Sequence, residues 1–240
     1  MPPRNAKLAA MDTSPERVTA NLREVRDRIA AAAARSGRAA EAVRLVAVTK
    51  TVGEDLIRVL VGAGQRDLGE NRARPLRDRA RALADLPVAW HMIGRLQRKN
   101  TKYVVPAATM IHSVDSLELA EEIGRRATDA AAKASCLLEV NSGEEQKGGA
   151  APDDAPTLAS AMAAVPGMKL VGLMTMAPLV ENAETVRPIF ARLRELLARV
   201  NREADLPRPL IELSMGMTQD YEVAIEEGAT IVRIGTALFR

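Results

Sequence analysis

Short apolar, β-branched runs alternate with longer amphipathic stretches along almost the whole chain. That rhythm is the strongest constraint on the fold. Strands separated by helices must lie parallel, and parallel strands buried on both faces are apolar throughout. Residues 44–49 (RLVAVT), 66–69, 89–93, 109–113, 136–140, 169–175, 210–214 and 230–235 read as strands. Helical periodicity falls between them, at 53–63, 72–84, about 97–104, 116–132, 153–165, 182–203 and 220–227. A further helix opens at Ser14-Pro15-Glu16, a capping residue followed by proline and an acid, with Val18, Leu22, Val25 and Ile29 on one face. Eight strands, each but the last followed by a helix, predict a single (β/α)8 TIM barrel with an extra N-terminal helix over 14–240, after a loose tail at 1–13. An open doubly wound sheet is the alternative. It needs a glycine-rich phosphate turn after the first strand, where the chain reads TKTVGEDL.

Composition narrows the function classes. No stretch approaches the roughly 20 apolar residues of a membrane span, and the first residues hold no secretory apolar run. The single cysteine, Cys136, can form no internal disulfide and reads as core packing, which suits a cytoplasmic, reducing home. Lys and Arg number 34 against 31 Asp and Glu, a small positive excess. With only five aromatic residues to stack on bases, the run Arg72, Arg74, Arg77, Arg79, Arg81 reads as a solvated helix face rather than a nucleic-acid site.

A barrel carries its site at the C-terminal ends of its strands. Polar residues collect there: Lys50, Glu70-Asn71, Arg95, His112-Ser113, Glu139 and Asn141, Met174-Thr175, Ser214 to Thr218, and Arg233 to Thr236. A lysine following LVAV is expected to be partly desolvated, which favours the neutral, nucleophilic amine that forms Schiff bases with aldehydes. Alternatively it snorkels away from a strand end. Ser214-Met215-Gly216-Met217-Thr218 before a short helix, with Gly235-Thr236 after the last strand, suits a phosphate, or serves as ordinary turns and caps. Arg233 inside the apolar run TIVRIG needs an acceptor, for which Glu212 and Glu139 are candidates. An aldehyde-reactive lysine, a phosphate cradle and a fixed arginine together suggest pyridoxal 5′-phosphate. An arginine at its ring nitrogen would keep that nitrogen unprotonated and weaken the ring as an electron sink.

The motifs AVTKT (47–51), GEN (69–71), WHMIGRLQ (90–97), HSVDS (112–116), EVN (139–141), GLMTM (172–176), LSMGMTQDYEVAI (213–225) and GATIVRIGTALF (228–239) resemble those of the pyridoxal phosphate homeostasis family. Its fold is related to the N-terminal barrel of alanine racemase. The resemblance implies that Lys50 holds the cofactor as a Schiff base. It implies phosphate contacts at Ser214, Gly235 and Thr236, with Gly216 and Met217 in the adjacent loop. Arg233 is implied at the pyridine nitrogen, Asn71 near the cofactor, and Met174 among the cofactor-binding residues. Lys147-Gly148-Gly149 approximates a family loop. The implied role is carriage or buffering of the cofactor for client enzymes and for amino-acid and keto-acid balance, without turnover, by a monomer that binds neither nucleic acid nor membrane. The alternative is a small enzyme such as an amino-acid racemase, with His91, His112 or Tyr221 as base. A two-base racemase draws a tyrosine from a second domain, and this chain reaches residue 240 directly after its eighth strand.

Overall fold

The structure is a computed structural model that describes residues 14–143 and 148–240; the tail at 1–13 and Lys147 lie outside them. Eight parallel strands close into a barrel in sequence order: β1 (Arg44–Val48), β2 (Asp67–Glu70), β3 (Ala89–Met92), β4 (Met110–Val114), β5 (Ala134–Glu139), β6 (Met168–Met174), β7 (Glu212–Ser214) and β8 (Ile231–Ile234). β1 pairs with β8 to complete the ring, Val46 opposite Arg233 and Ala47 opposite Ile234. The open-sheet alternative is thereby excluded.

The helices are α1 (Pro15–Arg35), α2 (Glu54–Gly62), α3 (Ala73–Ala82), α4 (Thr101–Val104), α5 (Leu117–Asp129), α6 (Ala155–Ala163), α7 (Arg187–Glu203) and α8 (Tyr221–Glu226). α1 starts where the sequence placed it, with Ser14 Oγ accepting from the Arg17 N–H at 3.2 Å. Its stripe of Val18, Leu22, Val25 and Ile29 is buried, which stabilises by roughly 1.5–3 kcal/mol per side chain. Among the described residues no helix is long and apolar enough to cross a membrane.

Alternation along the strands divides two cores. Val46, Met110, Leu137, Met174 and Ile231 form an inner cluster inside the ring. Leu45, Ala47, Trp90, Met92, Ile111, Val232 and Ile234 belong to the larger cluster between strands and helices. Because successive strand residues face opposite ways, His91, His112 and Arg233 face inward. β2 reads weakly as a strand for the same reason. Its inward positions are Asp67 and Gly69, and a Cβ at Gly69 would lie 2.9 Å from the Val46 side chain and 3.1 Å from that of Ile93. Cys136 is buried in the outer core, as expected.

Four helices end in the same motif, with a left-handed residue after the cap. Gly37, Gly64 and Gly228 fill that position in α1, α2 and α8, at φ of 70°, 82° and 100°. In α5 the residue is Ala131, at φ 51°, with its N–H on the Thr128 carbonyl and the next N–H on Ala127. A Cβ is disfavoured there by about 1–2 kcal/mol, partly offset by the extra backbone entropy of an unfolded glycine. Ala131→Gly should therefore raise the unfolding free energy by about 0.5–1 kcal/mol, measurable as a higher denaturant midpoint at unchanged m-value.

Candidate functional site

β1 is buried from Leu45 through Val48, and Thr49 is buried after it. Lys50 follows at the rim and is exposed. The expected desolvation is not found. β1 ends at Val48, and the turn closed by the Val52 N–H on the Thr49 carbonyl, at 3.1 Å, lifts Lys50 and Thr51 clear of the ring. Asn71 stands half-buried just beyond β2. Gly94 passes close beneath it, where a Cβ would sit 2.8 Å from the Asn71 Cα. Met174 is fully buried at the end of β6 and belongs to the inner apolar cluster.

The ends of β7 and β8 form the other half of the rim. Gly216 has φ 94°, and a Cβ there would meet the Ala224 Cβ at 2.7 Å and the Tyr221 Cα at 2.9 Å. Only glycine meets both demands, so this loop seats directly on α8. Its carbonyl accepts the Arg233 N–H at 3.0 Å. The Met217 N–H is already engaged, donating to Asp220 Oδ1 at 2.6 Å. Gly235 packs tightly on β1, with room for a Cβ only at 3.2 Å from the Val48 Cβ. Among the described residues the N–H groups of Gly235 and Thr236 donate to no other backbone group.

Arg233 is 4% exposed and meets neither expected carboxylate. Glu212 instead accepts from the Thr230 hydroxyl at 2.6 Å. Glu139 acts on Arg233 only through space. The guanidinium donates to Ser214 Oγ at 2.6 Å and to the Thr175 carbonyl at 2.9 Å. Burial pushes its pKa down to about 10, against the pull of Asp220 and Glu139, so it remains a cation at neutral pH.

From Ser214 a buried polar chain crosses the barrel. Ser214 Oγ lies 2.8 Å from His112 Nδ1, His112 Nε2 2.9 Å from His91 Nδ1, and His91 Nε2 3.0 Å from Asp67 Oδ1. A guanidinium only donates and a carboxylate only accepts. With those ends fixed and both imidazoles neutral, one arrangement of protons satisfies every link. Ser214 donates to His112, His112 through Nε2–H to His91, and His91 through Nε2–H to Asp67. Complete burial, with His91 and Arg233 adding to it, holds His112 well below the ordinary histidine value. The hydroxyl of Ser214, expected at a phosphate, is occupied inside this chain.

The candidate bases fall away from the rim. Every ring nitrogen of His91 and His112 has a partner. Tyr221 is buried against α1, where Arg28 covers its ring at 5.6 Å, and burial raises its phenol to about 12. Three groups play parts that the sequence did not assign to them. Glu139 is 8% exposed and its carboxyl makes no hydrogen bond or ion pair among the described residues, with burial and then Asp115 raising its pKa. Asp220 closes the β7 loop. Arg79, read as part of a solvated face, turns inward onto Glu70. An inward-facing strand-end acid was the available signal for Glu139, and the i+9 spacing of Glu70 and Arg79 carries none.

Residues 17–240 match the family described as the alanine racemase N-terminal domain. A pyridoxal phosphate homeostasis protein of Aquifex aeolicus is 45% identical over 91% of this chain and 95% of its own length. The chain belongs to the pyridoxal phosphate homeostasis proteins. In structure, this homeostasis-family chain is similar to an uncharacterised protein of Bifidobacterium adolescentis, at TM-score 0.87 and 39% identity over 95% of this chain and 96% of that one. PipY of Synechococcus elongatus, solved with pyridoxal phosphate bound, superposes with TM-score 0.82 at 33% identity over 93% of this chain and 100% of its own.

The neutral state of His112 sets a pH dependence. Its folded pKa lies below the unfolded value near 6.5, so the contribution is complete above that value. Below it, the unfolded chain takes up a proton that the folded chain refuses. Stability then falls by up to about 1.4 kcal/mol per pH unit from this group. Denaturant unfolding between pH 7.5 and 5.5 should show a mean slope shallower by about half a proton in His112→Gln than in the wild type.

Proposed function

We propose that this protein binds pyridoxal 5′-phosphate through Lys50 and holds it for delivery to client enzymes rather than turning over a substrate. The observation that supports the reading is the pairing of β1 with β8 up to Ala47 and Ile234, after which come an exposed Lys50 on one side and, on the other, Gly235 and Thr236, whose amides donate to no other backbone group among the described residues. When bound, the cofactor supplies an aldehyde that condenses with a primary amine.

The chain's own residues divide the work. Lys50 provides the amine. The Gly235 and Thr236 amides and the Thr236 hydroxyl hold the phosphate, and the close packing of Gly235 on Val48 keeps that pair next to β1. Met217 supports the loop through its neighbours, since its amide serves Asp220. Ser214 acts from below, by orienting Arg233. Arg233, a permanent cation, offers a donor to the ring nitrogen and leaves it unprotonated, which weakens carbanion chemistry. Asn71 and Met174 line the ring's surroundings. Carriage rather than turnover is supported by the engaged nitrogens of both histidines and by Tyr221 facing α1. A monomer in a reducing, cytoplasmic setting completes the reading.

One observation favours a second reading, that of a small racemase or other enzyme on the same cofactor. Glu139 is a buried carboxyl without a partner among the described residues, and its raised pKa suits proton transfer. Amino acids incubated with loaded protein in deuterated water decide between the two: retention of the α-proton supports carriage, and rapid exchange abolished by Glu139→Gln supports the enzyme.

For Lys50, purified protein mixed with pyridoxal 5′-phosphate should gain the visible absorbance of a protein-bound imine. Borohydride should fix the label on the peptide containing Lys50, and Lys50→Ala should show neither. A wild type that takes up no cofactor at saturation overturns the proposal.

A further inference from the structure

Lys50 is exposed, yet the turn that carries it is anchored at both sides. Arg79, on α3, donates through Nη1 to the Thr49 carbonyl and through Nη2 to the Val52 carbonyl, each at 2.6 Å. These two acceptors bracket Lys50 and Thr51. Arg79 Nη1 also contacts Glu70 Oε1, and the Thr49 hydroxyl donates to the same oxygen at 2.6 Å. Glu70 is 1% exposed at the end of β2. The Thr49 N–H continues the ladder to the Gly69 carbonyl at 3.0 Å. One guanidinium fork and one buried carboxylate thus join the β1 turn to β2 and α3.

Four donors and acceptors of a four-residue turn, all on Thr49 and Val52, are engaged in this way. A buried carboxylate is costly unless paired and hydrogen-bonded, and here both of its partners belong to, or hold, the lysine's turn. An exposed lysine has a wide rotamer range. What fixes its reach is the position of its Cα, and that position is set by the carbonyls on either side.

We propose that Arg79 and Glu70 are positioning residues that hold the Lys50 turn in register with the β8 amides, so that the amine meets the aldehyde of a ligand anchored by its phosphate. The inference rests on Lys50 being the reacting amine. Orientation of this kind matters steeply: displacements of about 1 Å can slow a reaction roughly 100-fold.

Two probes separate positioning from pocket integrity. Pyridoxal 5′-phosphate reports condensation with Lys50. Pyridoxine 5′-phosphate carries an alcohol in place of the aldehyde and reports only non-covalent binding. Arg79→Met should slow imine formation at least about tenfold while binding pyridoxine 5′-phosphate as the wild type does. Arg79→Lys, which keeps a cation able to reach Glu70 and a carbonyl, should recover most of the rate. Because Arg79→Met strands a buried carboxylate, the double variant Glu70→Gln/Arg79→Met is the control for folding. It should stay slow in condensation although no unpaired charge remains. Wild-type rates in either Met variant, or equal loss of both probes in the double variant, overturn the inference. If the wild type itself forms no imine, or Lys50→Ala forms it normally, the assignment of Lys50 fails instead.

Discussion

Arg233, a cation inside the barrel, touches no carboxylate among the described residues, and the polar architecture follows from that. Removing a guanidinium from water costs several kcal/mol unless its protons find acceptors. The acceptors here are one carbonyl of β6's end and one hydroxyl of β7. A hydroxyl that accepts from arginine must dispose of its own proton. His112 takes it, His91 takes the next, and Asp67 ends the series near the opposite mouth. One inward residue from each of β2, β3, β4, β7 and β8 is thus committed by the demand of one side chain. Replacing any middle member leaves a buried donor or acceptor without a partner.

The apolar interior is small by comparison, and the barrel relies on its outer ring. There α1 is fastened to α8 through Arg28 and Arg35 on Glu222 and Glu226, and α8 to α7 through Arg187 and Arg194 on Glu226 and Glu227. Isolated surface pairs contribute little, but these share acids and form a connected set. The extra helix is therefore a structural part of the ring. Asn21 of α1 also donates to the carbonyls of Leu238 and Arg240, at 3.3 and 2.7 Å.

The fold was legible because periodicity and turn chemistry agree at nearly every element. All eight strands fall within about two residues of their sequence positions, the largest displacements being at the starts of β5 and β7. The β5 start is set by register: Ala134 pairs with Met168 and a shift at Cys136/Leu137 absorbs the slack. Of the candidate site, the places of Lys50, Arg233 and the residues after β8 at or beyond strand ends were legible, and the roles given to them are those proposed above. Partners were not. Nothing in local sequence shows that Arg233 would choose Ser214 over Glu139, because both lie on inward faces and the choice depends on the stagger of the closed ring. Burial of Lys50 was misjudged because an apolar run indicates the strand and says little about the turn after it. Arg79 was hidden among four neighbouring arginines, all with the same local signature.

Closure of the ring by β1 on β8 ties the site to the order of synthesis. In the proposed site the amine follows the first strand and the amides follow the last, so a growing chain has no complete site until its final strand has left the ribosome. Until then β1 offers an unpaired edge on one side. A ligand held as proposed, by Lys50 at one end and by the amides after β8 at the other, joins the first and last strands of the ring. It stabilises only the closed form, and it therefore acts as a latch on the step of folding that comes latest.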